Sequence, residues 1–256
     1  MRPNRLRDIW AEGRPVLNGW CSIGNPFTAE MMARQGWDCV TIDTQHGLVA
    51  YSEMLAMLQA ISATDVGTLV RVSWNNPGEI MRALDAGADG VICPMVGNRA
   101  EAEAFVRACR YPPDGYRSFG RTRAAGVHGA DYAHAANAHV LALAMIETAE
   151  GLENAQEICA TPGLDGIYIG PADLSLALGG PAGQDSDDPM RLAAFDKIMG
   201  ACRSAALKVC VHTNSVAYSQ TMLARGFDLV TVGSDVRYLA GGRREVGEMR
   251  KWVEAR

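Results

Sequence analysis

The stretch LAMIETAEGLENAQEICATPGLDGIYIGPADLS, residues 143–175, decides the fold that we predict for this chain. An apolar run ends in Glu147, a segment with helical spacing follows, and a second apolar run opens into Gly170-Pro-Ala-Asp173. This order of strand, helix and strand is the repeating unit of a parallel α/β sheet, in which both strands point the same way. Glu147 and Asp173 are therefore expected at the same end of two strands, about 5 Å apart if the strands are neighbours.

Short apolar runs bounded by Gly, Pro or Asp occur eight times along the chain. Segments with helical spacing separate them, and this alternation indicates a parallel sheet buried on both faces. We therefore predict the α/β class and a single (β/α)8 TIM barrel domain spanning residues 1–256. A doubly wound open sheet is the competing architecture, but it is expected to show fewer strands. The predicted strands are residues 17–23, 39–44, 68–72, 90–95, 140–147, 166–170, 208–213 and 229–234.

Three segments extend beyond a plain barrel, and the shortest is a polar insert, residues 179–189, between the sixth and seventh predicted strands. A long Gly/Pro-rich excursion, residues 96–139, separates the fourth and fifth predicted strands, and such loops are usually functional or form an interface. It contains a predicted helix over residues 99–110 and several arginines. Residues 236–255 predict a final amphipathic helix that packs on its own barrel or on a neighbouring subunit.

Composition excludes several classes of partner. The formal net charge is -5 and no basic cluster is longer than Arg243-Arg244, which argues against nucleic acid or an anionic membrane as partner. The chain has neither 18 consecutive apolar residues nor a continuous apolar N-terminal core, so we expect no membrane span and no signal peptide. The seven cysteines lack C-x-x-C spacing, which predicts free buried thiols in a reducing cytoplasm.

Polar residues suited to catalysis gather at the predicted carboxyl ends of strands, where barrel enzymes carry their chemistry. Two carboxylates on neighbouring strand ends are hard oxygen ligands and predict a site for Mg²⁺ or Mn²⁺. A candidate base and a cationic side chain complete a set of groups that a catalytic site requires. The residues placed there are Asp43, His46, Arg71, Glu147 and Asp173.

Each of these residues also has a purely structural interpretation. An acid at a strand end is often a helix cap, and Thr148 or Asp173 is able to cap the helix that follows it. Arg71 is able to form a structural ion pair with Asp43 or Glu147, and also to serve the site.

The histidines have structural interpretations as well. The structural alternative for His46 is a turn histidine held by the carboxylate of Asp43. His212, at the end of the seventh predicted strand, lines the pocket or is buried in the core, and the second is the more usual role of such a residue.

Five motifs, in the same order, resemble those of the metal-dependent class II 2-oxo-acid (hydroxyketoacid) aldolases, and the resemblance extends over roughly residues 16–238. The resemblance implies a barrel lyase that reversibly cleaves a 4-hydroxy-2-oxo acid into pyruvate, or hydroxypyruvate, and an aldehyde by way of an enolate. The motifs are Asp43-x-x-His46-Gly47, Arg71-Val72-x-Trp74-Asn75, Tyr111-Pro-Pro-x-Gly115-x-Arg117-Ser-Phe-Gly120, Ile146-Glu147-Thr148 and Gly170-Pro-Ala-Asp-Leu-Ser175.

The same resemblance implies how the substrate is held. Glu147 and Asp173 would bind a divalent cation, Mg²⁺, Mn²⁺ or Co²⁺, that chelates the 2-oxo acid. Backbone N–H groups from Gly170 through Ala172 to Asp173, where a helix begins, would receive the substrate carboxylate.

It also implies the catalytic groups. Arg71 would stabilise the enolate at the keto oxygen, and His46 would move a proton through a water molecule. Asp85 would pair with His46 and raise its basicity, although the predicted strands put Asp85 at the opposite end of the barrel. Two positions depart from the family pattern: Met145 stands where many relatives have Gln, and Gln45 where many have Glu.

Partners follow from the same argument: a small 2-oxo acid and an aldehyde, with a homo-oligomer, by resemblance a hexamer. The arginines of the long excursion would attract an acidic aldehyde or hold a subunit interface; they are Arg117, Arg121 and Arg123.

Four other functions compete with this one. A decarboxylase of oxaloacetate passes through the same enolate and would use the same residues. A CoA-ester lyase needs a nucleotide pocket, which the sequence does not show. A Schiff-base aldolase needs a lysine at the barrel mouth, and Lys197, Lys208 and Lys251 are predicted elsewhere. A non-catalytic binding barrel would keep the fold without needing the combination of His46, Arg71, Glu147 and Asp173.

Overall fold

The structure, a computed structural model, describes residues 2–256. The strands are β1 Val16–Cys21, β2 Cys39–Asp43, β3 Gly67–Arg71, β4 Gly90–Cys93, β5 Leu141–Ile146, β6 Gly166–Ile169, β7 Lys208–His212 and β8 Leu229–Ser234. All pairings between them are parallel, each strand pairs with the next along the chain, and β8 pairs with β1 to close the barrel. The predicted (β/α)8 barrel is thereby confirmed.

Helices cover the outside of the barrel and its amino-terminal end. They are α1 Arg5–Ala11, α2 Pro26–Ala33, α3 Tyr51–Ile61, α4 Pro77–Asp85, α5 Arg99–Cys109, α6 Ala124–His128, α7 Tyr132–His139, α8 Ala149–Glu153, α9 Ala155–Cys159, α10 Pro171–Ala177, α11 Pro189–Ser204, α12 Val216–Arg225, α13 Asp235–Ala240 and α14 Gly242–Glu254.

Every predicted strand coincides with an observed strand, and the ends differ by at most two residues. The agreement has a physical cause, because helices cover one face of these strands and barrel side chains cover the other. β2 and β5, for example, are buried along their whole length.

The amino-terminal end of the barrel is closed by α1. Its buried residues Leu6, Ile9 and Trp10 belong to the same apolar cluster as the barrel interior. Asn4 caps this helix, its side-chain oxygen accepting the N–H of Leu6 at 3.1 Å. The opposite end, where the strands finish, is left open to solvent.

The excursion between β4 and β5 is tied to the barrel by its arginines. Arg117 is fully buried and donates to Asp85 at 2.6 Å and to the Tyr132 hydroxyl at 3.1 Å. Arg123 donates to the Ala86 carbonyl and Arg121 to the Ala130 carbonyl. These arginines bind groups of their own chain, so their expected attraction for an acidic aldehyde has no support in the structure.

The predicted C-terminal helix is two helices, because the chain turns at Gly241 between α13 and α14. Within the described chain α14 buries none of its residues, and it exposes Val246, Met249 and Trp252. The helices of residues 2–256 all fall short of the length and apolar content needed to cross a membrane. All seven cysteines are free and buried, as predicted.

Candidate active site

A cavity of about 100 Å³ lies at the carboxyl ends of the strands. It brings together four of the residues that the sequence placed at strand ends, namely His46, Arg71, Glu147 and Asp173. Its other lining residues are Met145, Gly170, Pro171, Ala172, Gln184 and His212.

Glu147 follows β5 directly and is only 2% exposed. Its Oε1 accepts the N–H of Met95 at 2.9 Å, and Met95 has a left-handed backbone with φ 58°. Its Oε2 lies against Gly170, where a built Cβ would collide with the carboxylate oxygen. The carboxylate is therefore held from two sides, and a side chain at residue 170 would displace it.

Asp173 lies in the first turn of α10, on the strand-end loop next to Glu147. The N-cap residue of this helix is Gly170, and no described side chain caps it, so Asp173 is not its N-cap. The capping interpretation is right for Thr148, whose Oγ1 accepts the N–H of Gly151 at 2.9 Å. The carboxylate of Asp173 remains available to the cavity.

The carboxylate of Glu147 is costly to charge in this site. Burial has the largest effect and, with the charge of Asp173, raises the pKa of Glu147 to about 7, although the Met95 N–H and Arg71 act to lower it. A pair of oxygen ligands that is short of positive charge fits a divalent cation of the Mg²⁺ or Mn²⁺ type. The Oε1 atom of Gln184 is also buried without a partner in residues 2–256, which adds a further oxygen to this cavity.

Arg71 and Asp43 form a buried bidentate ion pair across β2 and β3, where they are register partners. Arg71 Nε donates to Asp43 Oδ1 at 2.9 Å, and Nη2 donates to Oδ2 at 2.6 Å. Burial alone would raise the pKa of Asp43, but its hydrogen bonds with Arg71 and the guanidinium charge outweigh burial and lower it. The guanidinium also packs over Trp20, at 4.9 Å from the ring centroid.

The ion pair does not use Nη1 of Arg71, a residue that lines the cavity. Nη1 of Arg71 has no protein acceptor within residues 2–256. Trp20 donates from Nε1 to Asp43 at 3.3 Å, which fixes the carboxylate further. Arg71 thus forms the structural ion pair and still presents a donor to the site.

His46 is positioned by the turn that follows β2. Asp43 Oδ1 accepts the N–H groups of Gln45 at 3.0 Å and His46 at 3.3 Å. The backbone of His46 is therefore held by Asp43, as the turn interpretation predicts. Its exposed imidazole lines the cavity without a hydrogen bond to the described part of the chain.

Asp85 does not pair with His46 within this chain. It is the last residue of α4, and its Oδ1 accepts a 2.6 Å hydrogen bond from Arg117. A helix returns from the carboxyl end of one strand to the amino end of the next, so its last residue lies opposite the catalytic rim. Within this chain Asp85 forms an ion pair that fastens the long excursion.

His212 meets both of its interpretations, since it is largely buried and also lines the cavity. Its ring lies edge-on to Trp20 with centroids 4.8 Å apart, and Nδ1 is 3.4 Å from the Tyr168 hydroxyl. Burial, and then the charge of Arg71, lowers the pKa of His212 to about 4, so the ring is neutral at pH 7.

Sequence reasoning missed Gln184 as a pocket residue. It belongs to the loop between α10 and α11, which Arg191 holds by donating to the carbonyls of Gly183 at 2.6 Å and Ser186 at 2.8 Å. Only the polar composition of this loop marked it in the sequence, and that composition carries no information about which residue turns inward.

Comparison with known proteins gives matches over nearly the whole chain. Residues 18–241 match the family described as HpcH/HpaI aldolase/citrate lyase. The hydroxypyruvate/pyruvate aldolase of Rhizorhabdus wittichii is 39% identical over 243 residues, 95% of this chain and 97% of the relative. The 4-hydroxy-2-oxo-heptane-1,7-dioate aldolase of Klebsiella pneumoniae is 36% identical over 242 residues, 93% of this chain and 91% of the relative.

A solved structure has the same fold. The crystal structure of an HpcH/HpaI aldolase/citrate lyase family protein from Burkholderia cenocepacia superposes with a TM-score of 0.88 at 32% identity. The match covers 96% of this chain and 99% of that chain.

Proposed function

Since this chain belongs to the HpcH/HpaI aldolase/citrate lyase family, we propose that it is a divalent-metal-dependent aldolase. It would reversibly cleave a 4-hydroxy-2-oxo acid into pyruvate, or hydroxypyruvate, and an aldehyde. One observation carries the proposal: the buried carboxylate of Glu147 and the carboxylate of Asp173 share a small cavity with Arg71 and His46.

Glu147 and Asp173 would hold the cation, Mg²⁺ or Mn²⁺. When bound, such an ion acts as a Lewis acid that polarises the 2-oxo group of the substrate. The substrate carboxylate would accept hydrogen bonds from the N–H groups of Ala172 and Asp173, which have no protein acceptor in the described chain. Pro171 has no N–H, so the segment would contribute through Gly170 in addition to these two residues.

In the cleavage direction His46 would accept the proton of the C4 hydroxyl, directly or through a water molecule. The C3–C4 bond breaks, the aldehyde forms at C4, and the electron pair of the bond delocalises from C3 onto the oxo oxygen. Arg71 would stabilise that negative charge with Nη1, already oriented by its ion pair with Asp43. His46 then returns the proton to C3, which yields pyruvate from a pyruvate-type enolate.

The size and lining of the cavity support a small substrate. A volume of about 100 Å³ is well below the ~300–1,000 Å³ of sites for drug-sized ligands. Among the described residues that line it there is no lysine, and Lys208 pairs with Asp228 at 2.8 Å where β7 begins. These facts argue against a nucleotide-bearing substrate and against a Schiff-base mechanism.

A homo-oligomer and a cytoplasmic location are further parts of the proposal. The apolar side chains that α14 exposes support subunit contacts, and the seven free cysteines suit a reducing compartment. The hexamer follows from the family resemblance alone.

A coupled assay for pyruvate release from a racemic 4-hydroxy-2-oxo acid tests the proposal. We expect release with Mg²⁺ or Mn²⁺, none with a chelator, and none in Glu147→Ala. Glu157→Ala is the matched control, because this glutamate is exposed on α9. Oxaloacetate is assayed in parallel.

Each outcome has a defined meaning. Faster decarboxylation of oxaloacetate than aldol cleavage would identify the decarboxylase that shares this enolate. Activity that survives both chelation and Glu147→Ala would overturn the two-carboxylate site, and the absence of divalent-ion binding would indicate a binding barrel.

A further inference from the structure

A second group of metal-ligating side chains lies at the amino-terminal end of the barrel, opposite the candidate active site. Asp89 directly precedes β4, His128 ends α6 and His139 ends α7. The three residues are 4%, 1% and 5% exposed. The proposed aldol chemistry uses none of them.

The distances between the donor atoms suit a first-row transition metal. One ligand atom from each residue lies within 4.8 Å of the other two. Asp89 Oδ1 is 3.3 Å from His139 Nε2 and 3.8 Å from His128 Nδ1. A tetrahedral ion with bonds of about 2.0–2.1 Å separates its ligand atoms by roughly 3.3–3.4 Å, so small side-chain adjustments would complete the coordination.

Neighbouring groups outside the cluster orient the ligand atoms of Asp89 and His128. Asp89 Oδ2 accepts the N–H of Thr68 at 2.8 Å and its hydroxyl at 3.1 Å, which leaves Oδ1 for the cluster. His128 Nε2 lies 3.2 Å from the Gly87 carbonyl, an acceptor that places the proton on Nε2. Such outer hydrogen bonds are typical of metal-binding histidines, since they fix the tautomer and the ring orientation.

His128 Nδ1 is the atom that ordinary packing does not explain. It is buried and has no hydrogen-bond partner in residues 2–256. The Gly87 carbonyl holds the proton on Nε2, so Nδ1 carries a lone pair. A hydrogen bond between His139 and Asp89 explains the burial of those two residues. It leaves the lone pair of His128 Nδ1 facing Asp89 Oδ1, with no donor between them.

We propose that Asp89 Oδ1, His128 Nδ1 and His139 Nε2 form a binding site for one Zn²⁺ or a similar transition-metal cation. Two imidazoles and one carboxylate favour Zn²⁺, Co²⁺ or Ni²⁺ over Mg²⁺, unlike the oxygen ligands of the active site. Asp89 directly precedes β4, and the two histidines end α6 and α7, the last two helices of the excursion. A bound ion would therefore fasten residues 124–139 to the base of the barrel.

Zinc content measured in an excess of Mg²⁺ tests the site. The protein is loaded with Zn²⁺, exchanged into buffer with Mg²⁺, and its metal is counted by atomic emission. We expect one Zn²⁺ per chain in wild type and also in Glu147→Ala, which lacks an active-site ligand. Two variants should each retain less than a tenth of the wild-type zinc content. His139→Gln still places a donor near Asp89, and His128→Phe keeps a ring stacked on Tyr132.

A second measurement needs no substitution in the cluster. Co²⁺ added to wild type in excess Mg²⁺ should give the intense visible absorption of a four-coordinate ion, saturating at one equivalent. Zn²⁺ at about 100 times its Kd should raise the Tm by roughly 5 °C in wild type and in Glu147→Ala, but not in His139→Gln.

Two results would overturn the proposal. One is a Glu147→Ala protein that retains no Zn²⁺ and shows only the weak absorption of six-coordinate Co²⁺. The other is retention of zinc by His139→Gln and His128→Phe at the wild-type level. If these two variants fail to fold, as circular dichroism would reveal, the wild-type Co²⁺ titration decides by itself.

Discussion

Replacing Glu147 with glutamine should stabilise the ion-free protein at alkaline pH while removing metal-dependent cleavage. Glu147 is almost fully buried, and burial together with the charge of Asp173 raises its pKa to about 7 from a usual 4.5. Glutamine has nearly the same shape and keeps an oxygen for the Met95 N–H. It carries no charge, so it avoids the cost that the cation normally offsets.

The magnitude follows from the pKa. The raised value means that the neutral carboxyl is favoured in the folded chain, so its contribution to stability is complete below pH 4.5. That contribution is lost at about 1.4 kcal/mol per pH unit as the pH rises towards 7, about 3 kcal/mol in total by pH 8. Glutamine does not titrate, so the free energy of unfolding of Glu147→Gln should exceed that of wild type by about this amount at pH 8, with little difference at pH 4.5.

Urea unfolding with a chelator, at pH 4.5 and pH 8 and one protein concentration, measures this difference. Glu157→Gln, at an exposed position, should match wild type at both pH values. Adding Mg²⁺ at pH 8 should stabilise wild type and leave Glu147→Gln unchanged, and pyruvate release by the variant should fall at least ~100-fold. The difference in free energy of unfolding between Glu147→Gln and wild type should be larger at pH 8 than at pH 4.5. Equal differences at the two pH values would refute the reasoning.

Three further substitutions probe the same site. Arg71→Lys keeps a charge but loses the bidentate pair with Asp43, so kcat in the pyruvate-release assay should fall about 10²–10³-fold, and an unchanged kcat would exclude an oriented guanidinium. Gly170→Ala should weaken Mn²⁺ binding, measured by calorimetry, about 10–100-fold, because the alanine Cβ collides with the Glu147 carboxylate. The control variant Gly200→Ala, which has open space around residue 200, should bind Mn²⁺ as wild type does. Asp85→Asn should lower the free energy of unfolding by about 2 kcal/mol, because buried Arg117 loses its partner, and should leave kcat within about twofold. A large fall in kcat with a shifted pH profile would instead indicate that Asp85 acts on the catalytic base, His46.

The barrel and the gathering of polar residues at one rim were predictable from local pattern. Apolar runs of four to six residues alternate with helical segments in strict order, and the parallel connection has one handedness, so the strand ends are forced to the same side. Glu147 directly follows a strand and His46 lies three residues after one, so neither needs knowledge of distant contacts to be placed there.

The charge state of the site depended on the closed barrel. The pKa of Glu147 rises because neighbouring strands bury it beside Asp173, and burial is a property of the whole packing. Gln184 turns into the cavity because Arg191 anchors its loop, an interaction that no local motif announces.

The sequence by itself determined the eight-stranded architecture, since strand and helix periodicity are encoded over a few neighbouring residues. Only the tertiary structure decided which side chains meet across long stretches of chain. Asp85 pairs with Arg117, 32 residues away, rather than with His46, and Asp89 meets His139 across 50 residues. The physical reason is that such contacts depend on where closure of the barrel and the path of the excursion bring the chain.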